Sequence, residues 1–239
     1  MRSDTLIIIP AHNEAGGIAR IIEDIRAKAP GADIVVVDDG STDSTALEVS
    51  ETGAPVIRLP VNLGYGGALQ TGFKYAISRG YLYAVQMDAD GQHEPSYIPK
   101  LLEPVRAGAA DVVLGSRFMG LGEYRSTFVR GMGMKLFGSI ASVTIGRRVT
   151  DPTSGFQAMN REVMRFYASD LYPVDFPDAD VLIMLHRAGL KSVEVPVEMY
   201  QRVEGVSMHS GLKPLYYVFK MFLSILVTLL RKNTFIKDV

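Results

Sequence analysis

The chain has 239 residues, 47% of them hydrophobic and 21% charged, with a formal net charge of −1 and no cysteine. That is enough apolar material for one large core or two small ones. The near-zero charge excludes a general nucleic-acid binder, and the missing cysteine excludes disulfides, thiolate nucleophiles and cysteine metal sites.

The run Leu6-Ile7-Ile8-Ile9 ends at Pro10 and reads as a buried strand that stops there. It is too short for the apolar region of a secretory leader, and Asp4 interrupts its approach, so a cytoplasmic protein is expected. Asn13 is placed to cap a helix from about Glu14 to Lys28, with Ile18, Ile21, Ile22 and Ile25 on its apolar face. Ile34 to Val37 is a second buried strand, followed by Asp38-Asp39-Gly40-Ser41-Thr42-Asp43 and a helix to about Thr52. Pro55 to Leu59 is a third strand. A glycine-rich loop, Asn62-Leu63-Gly64-Tyr65-Gly66-Gly67, leads into a helix from about Ala68 to Arg79. Tyr81 to Met87 is a fourth strand, Pro95 to Ala107 a helix, and Asp111 to Gly115 a fifth strand.

Strand and helix alternate without a break, which predicts a Rossmann-like, mostly parallel α/β sheet with helices on both faces. Beyond Arg117 the pattern loosens. Gly120 to Arg130 reads as a loop carrying Arg125 and Arg130, and Gly131 to Ile145 as a helix. Asp151 to Phe156 reads as a turn, Pro177 to about Arg187 as a helix, Lys191 to Val197 as a late strand, and Gln201 to Gly211 as a polar loop.

Leu215 to Leu230 is apolar apart from Lys220, Ser224 and Thr228. It is shorter than the ~20 residues of a membrane-spanning helix. Tyr216, Lys220, Ser224, Thr228 and Arg231 form a polar stripe, Leu215, Phe219, Phe222, Leu226 and Leu229 lie on the other faces, and Lys213, Arg231, Lys232 and Lys237 flank it. Two readings follow: an amphipathic helix lying peripherally on the cytoplasmic face of a membrane, or a helix packed on the domain or on a second subunit of a homo-oligomer. Residues 1–211 are taken as one domain and 212–239 as its C-terminal appendage.

In open α/β sheets ligands bind outside the carboxyl ends of the strands. Asp38, Asp39, Asp88, Asp90 and Arg117 all fall at such ends. In Asp88-Ala89-Asp90-Gly91-Gln92 the two carboxylates lie two residues apart, on one face of an extended chain. With the Gln92 amide oxygen they make a hard-oxygen set suited to Mg²⁺ or Mn²⁺ and a diphosphate. Arg117 suits the charge on a departing phosphate. A dinucleotide reading of Gly64-Tyr65-Gly66-Gly67-Ala68-Leu69 fails at Leu69 and follows the wrong strand. Hydrolysis by a metal-bound water would want more carboxylate or histidine ligands.

In this order, Ile9-Pro10-Ala11-His12-Asn13-Glu14, Val36-Val37-Asp38-Asp39-Gly40-Ser41-Thr42-Asp43, Asn62-Leu63-Gly64-Tyr65-Gly66-Gly67-Ala68, Asp88-Ala89-Asp90-Gly91-Gln92, Gly115-Ser116-Arg117, Asp151-Pro152-Thr153-Ser154-Gly155-Phe156 and Glu194-Val195-Pro196 resemble the family 2 glycosyltransferases of GT-A fold. The resemblance is to their dolichyl- and polyprenyl-phosphate sugar transferases. It implies that Pro10, His12, Glu14, Val37, Asp39 and Ala89 line the nucleotide pocket, and that Asp88 faces the donor. It further implies that Asp90 and Gln92 hold Mg²⁺ or Mn²⁺, that Arg117 and Arg202 contact the diphosphate, and that Asp151 and Asp180 are the carboxylates nearest the acceptor chemistry. The implied reaction is inverting transfer from a GDP- or UDP-linked sugar to a polyprenyl phosphate. His12 stands in place of the family's usual Tyr, and Met208 where mannosyl transferases of the group carry Lys.

Other roles for the same residues stay open at this point. Asp38 suits a helix cap, Asp151 a turn before Pro152, and Asp180 an acid at a helix N-terminus. A hydroxyl acceptor would demand a base, with Asp151 or Asp180 as candidates, and a nucleotide-sugar-binding subunit without turnover is a further reading.

Overall fold

The computed structural model describes residues 3–120, 128–173, 177–200 and 213–230, with side chains of 128–135 and 213–219 left aside. Seven strands form one sheet: β1 (Thr5–Ala11), β2 (Asp33–Asp38), β3 (Val56–Arg58), β4 (Tyr83–Gln86), β5 (Val112–Ser116), β6 (Gln157–Asn160) and β7 (Ser192–Pro196), in the order β3-β2-β1-β4-β6-β5-β7. All pair in parallel except β6, which runs antiparallel between β4 and β5. β1 lies inside the sheet and is buried along its whole length. This is why its isoleucines follow one another without polar alternation. Pro10 lies within β1, whose pairing runs on to Ala11 opposite Asp38.

Among the described residues eight α-helices accompany the sheet: α1 (Ile18–Lys28), α2 (Thr45–Glu51), α3 (Tyr65–Ser78), α4 (Ile98–Arg106), α5 (Phe128–Ile145), α6 (Arg161–Tyr167), α7 (Ala179–Arg187) and α8 (Lys213–Leu230). Because side chains alternate along a strand, the sheet feeds two cores. Leu6, Ile8, Val35, Val37 and Ala84 pack against α3, α6 and α7. Ile7, Ile9, Val36 and Val85 pack against α1 and α4.

Three local expectations change. Asn13 does not cap α1, which begins at Ile18 after Gly17. Asn13 instead takes a positive φ of 55°, and its Oδ1 accepts from the Thr42 backbone N–H at 2.9 Å. Asp38 caps no helix either; its Oδ1 accepts from Ser41 N–H three residues on, closing a local turn. Residues 157–167, left unassigned between the turn and the next helix, form β6 and α6. Asn160 ends the strand and caps the helix, accepting from Val163 N–H at 3.1 Å.

α5 begins at Phe128, so Arg130 belongs to a helix, while Arg125 lies outside the described residues. α8 turns Ser224 and Thr228 of its polar stripe inward. Met221, Ile225 and Thr228 are buried, and the Ser224 hydroxyl donates to Asp180 Oδ2. Arg187 donates to the Thr228 and Leu229 carbonyls in the last turn of α8, where a cation also meets the negative end of the helix dipole. Phe222, Leu223, Leu226, Val227, Leu229 and Leu230 are left exposed. Among the described residues no helix is long and apolar enough to cross a membrane.

Candidate functional site

The carboxyl ends of β1, β2, β4 and β5 share one edge, because β4 and β5 are each antiparallel to β6 and so parallel to each other. The loops leaving that edge carry most of the expected residues. Asp39 follows β2. Its Oδ1 and Oδ2 accept from the backbone N–H groups of Leu63 and Gly64 at 2.6 and 2.9 Å. Its carbonyl accepts from His12 Nδ1 at 2.8 Å, which fixes the proton on Nδ1 because a carbonyl only accepts. The carboxylate is buried and draws the glycine-rich loop onto the β2 exit. Gly40 permits this approach: a Cβ there would lie 2.8 Å from Asn62 N and from Val61 C, and its φ is +66°.

The loop then starts α3 at Tyr65, which reaches the next exit. Tyr65 Oη donates to Asp88 Oδ1 at 2.7 Å and accepts from Gln86 Nε2 at 3.0 Å. Burial, with the Asp88 charge adding to it, pushes the Tyr65 phenol well above its ordinary pKa, so the phenol stays a donor. Asp88 N–H donates to His93 Nδ1 at 3.1 Å. His93 Nε2 then carries the proton of the neutral ring and stands 3.7 Å from Asp88 Oδ2. The His93 ring is stacked on Phe156, with centroids 4.9 Å apart. Gly155 closes the other side: a Cβ there would sit 2.7 Å from Asp88 Oδ2 and 2.9 Å from Tyr65 Oη.

Asp90 and Gln92 lie partly exposed on the turn beyond Asp88. Asp90 Oδ1 accepts from Gln92 N–H at 3.1 Å. Gln92 Nε2 donates to the Tyr200 carbonyl at 3.2 Å, which leaves Oε1 as the acceptor end of that amide. The Asp90 carboxylate and the Gln92 amide oxygen, next to solvent, fit a divalent ion that takes one or two carboxylates and completes its shell with water and substrate phosphate. Among the described residues no group of three or more His, Cys, Asp or Glu gathers into an all-protein metal cage.

The Gly155 turn leads back to Asp151, which is fully buried. Arg117 Nε donates to Asp151 Oδ2 and Arg117 Nη2 to Oδ1, both at 2.7 Å; Nη2 also reaches Thr153 Oγ1 at 2.9 Å. Asp151 N–H in turn donates to Glu194 Oε1 at 2.7 Å. A chain of contacts therefore joins Asp39, the 62–65 loop, Asp88, the 151–156 turn and Arg117 along one rim.

The other expected residues range from exposed to fully buried. Val37 and Ala89 are buried in the two cores. Pro10 is also buried, His12 is exposed, and Glu14 is half-buried before α1. Asp180 sits beneath α8, with Oδ1 accepting from Asp178 and Val181 N–H and Oδ2 from Ser224. Burial raises its pKa against those hydrogen bonds. Arg202 and Met208 lie outside the described residues. Sequence reasoning missed Tyr65, His93 and Gly155 as partners of Asp88. All three stood inside quoted or adjoining runs, but no spacing rule brings residues 65, 88 and 155 together.

Residues 6–167 match the family model described as Glycosyl transferase family 2. An undecaprenyl-phosphate mannosyltransferase of Micrococcus luteus is 33% identical over 216 residues, covering 86% of this chain and 87% of its own. A polyprenol monophosphomannose synthase of Mycolicibacterium smegmatis is 34% identical over 218 residues, covering 87% and 81%. Among solved structures, glucosyl-3-phosphoglycerate synthase from Mycobacterium tuberculosis, in complex with Mn²⁺, UDP-glucose and phosphoglyceric acid, superposes with a TM-score of 0.68. The two are 22% identical, and the match covers 98% of this chain and 81% of that one.

Proposed function

The chain belongs to glycosyl transferase family 2 and is a glycosyltransferase of GT-A fold; from that premise we propose that it transfers a sugar, with inversion, from a GDP- or UDP-linked donor to a polyprenyl phosphate. The observation that carries the choice of acceptor is the state of the candidate bases. Asp151 is spent on Arg117 and Asp180 on Ser224 and backbone N–H groups, and both are buried. A hydroxyl acceptor needs a base within hydrogen-bond reach. A phosphate monoester does not, because its second pKa is about 6 and it is largely ionised at neutral pH. The relatives named for polyprenyl-phosphate mannosyl transfer support the same acceptor class.

Asp88 faces the donor, and Asp90 and Gln92 hold a divalent cation. Bound there, Mg²⁺ or Mn²⁺ neutralises charge on the departing diphosphate. Arg117, aligned by Asp151, contacts the diphosphate, and Asp39 shapes the loop that borders the nucleotide. Arg202 adds a second cation to the diphosphate. Residues 1–211 form the catalytic domain. The helix in 212–239 attaches that domain to a lipid surface through the exposed face of α8, which the flanking Lys213, Arg231 and Lys232 suit to anionic headgroups.

The test is a screen of GDP- and UDP-sugars against undecaprenyl and dolichyl phosphates, with Mg²⁺ or Mn²⁺, reading lipid-linked product. Metal-dependent product that falls about a hundredfold or more in Asp90→Ala is the expected result. Tight donor binding with no product from any acceptor would replace it with a non-catalytic binding subunit.

A further inference from the structure

The Asp88 rotamer is set by neighbours from three separate segments. Tyr65 Oη holds Oδ1, and Gln86 Nε2 holds Tyr65 Oη from behind. Gln86 Oε1 is left as a buried acceptor with no partner, so an orphaned polar atom accompanies this arrangement, at a cost in stability. His93 is held by three separate features: the Phe156 stack, the Asp88 N–H, and an antiparallel bridge to Met199. That places its Nε2–H beside Oδ2. Gly155 removes the Cβ that would otherwise occupy the Asp88 carboxylate position.

We propose that Tyr65 and His93 are positioning residues for sugar transfer, Tyr65 hydrogen-bonding Asp88 Oδ1 and His93 bonding the Asp88 backbone N–H while setting its own Nε2–H 3.7 Å from Oδ2, so that the carboxylate meets the donor without first reorganising. The inference deepens the glycosyl-transfer reading and rests on it. A carboxylate free to rotate would lose part of its advantage to reordering at each turnover, whereas one bonded by a phenol, on a backbone pinned by a stacked imidazole, loses less.

The experiment is a double-mutant cycle with Tyr65→Phe, His93→Asn and Asp88→Ala. Tyr65→Phe keeps the ring and deletes the hydroxyl. His93→Asn keeps an acceptor for Asp88 N–H and deletes Nε2–H. Each variant is measured for kcat/KM with the donor found in the screen, for calorimetric affinity toward that donor with Mn²⁺, for Mn²⁺ binding alone, and for Tm. The expected results are a fall of about tenfold in kcat/KM for Tyr65→Phe and a smaller fall for His93→Asn, with Mn²⁺ affinity unchanged. In the Asp88→Ala background both substitutions change donor affinity less than about twofold. Effects that multiply with Asp88→Ala, loss of Mn²⁺ affinity in Tyr65→Phe, or a fall in Tm with kcat/KM unchanged would each overturn the assignment. A parent protein inert toward every donor removes the premise and the inference together; an active parent with additive variants removes the inference alone.

Discussion

Arg117 and Asp151 share three hydrogen bonds: two from the guanidinium at 2.7 Å and one from the Arg117 backbone N–H at 3.1 Å. The carboxylate is fully buried and the guanidinium nearly so. Charge-assisted, bidentate geometry of this kind fixes direction as well as energy.

Breaking that pair is expected to show first in stability. Asp151→Asn leaves a buried guanidinium without its counter-charge and should cost about 3 kcal/mol. Urea denaturation checks this. A side chain serving only as a proton acceptor would lower kcat and leave the unfolding midpoint where it was.

Asp180 gives a pH-dependent prediction of opposite character. A buried acid whose folded pKa is raised binds its proton more tightly when folded. Its contribution is favourable below the unfolded value, near 3.8, and is lost as pH rises through the folded value. Asp180→Asn keeps an acceptor for Asp178 and Val181 N–H and removes the charge. The variant should therefore equal or exceed the parent in Tm at pH 7–8, with the difference shrinking toward pH 4. It should also retain turnover. Loss of turnover at unchanged Tm would return Asp180 to the chemistry.

Gly155→Ala forces a carbon into the space of Asp88 Oδ2 and Tyr65 Oη. The end of the Asp88 side chain is the part that can give. Turnover should fall by at least about tenfold while the unfolding free energy changes by no more than about 1 kcal/mol. Steady-state kinetics and denaturation on the same preparation decide it.

The outward face of α8 predicts adsorption. Leu226 is exposed, so Leu226→Glu should leave Tm unchanged. It should weaken sedimentation with phosphatidylglycerol vesicles, and salt should weaken that of the parent. Loss of a dimer in Leu226→Glu, with vesicle binding unchanged, would assign the face to a second copy of the chain.

Most of the parallel sheet was legible because its strands are uninterrupted apolar runs between turn residues, and the strand-end placement of Asp39, Asp88, Asp90 and Arg117 followed from topology. β6 was not legible. Its four residues, Gln157 to Asn160, are too few for periodicity, and Gln157 breaks the apolar run. The Asn160 cap was the available signal. The fates of Asp151 and Asp180 were hidden because acidic residues read as solvent-facing or functional until their partners are known. Those partners stand 34 and 44 residues away in Arg117 and Ser224. The α8 stripe was legible as a pattern, but the pattern alone left a lipid surface and a packed helix equally open; Ser224 and Thr228 turn toward the domain, where Ser224 satisfies a buried carboxylate, and the leucines face outward.

The reversed strand sets an order on assembly. β4 and β5 do not pair with each other; each pairs with β6. A nascent chain that has emerged only as far as Thr150 therefore holds one four-stranded fragment, β3-β2-β1-β4, with a bare β4 edge, and a β5 segment whose partner strands have yet to appear. When β6 slots between them it acts as a keystone, and the same event carries Gly155 to Asp88 and Asp151 to Arg117. The polar half of the rim thus comes into being only after the scaffold has closed.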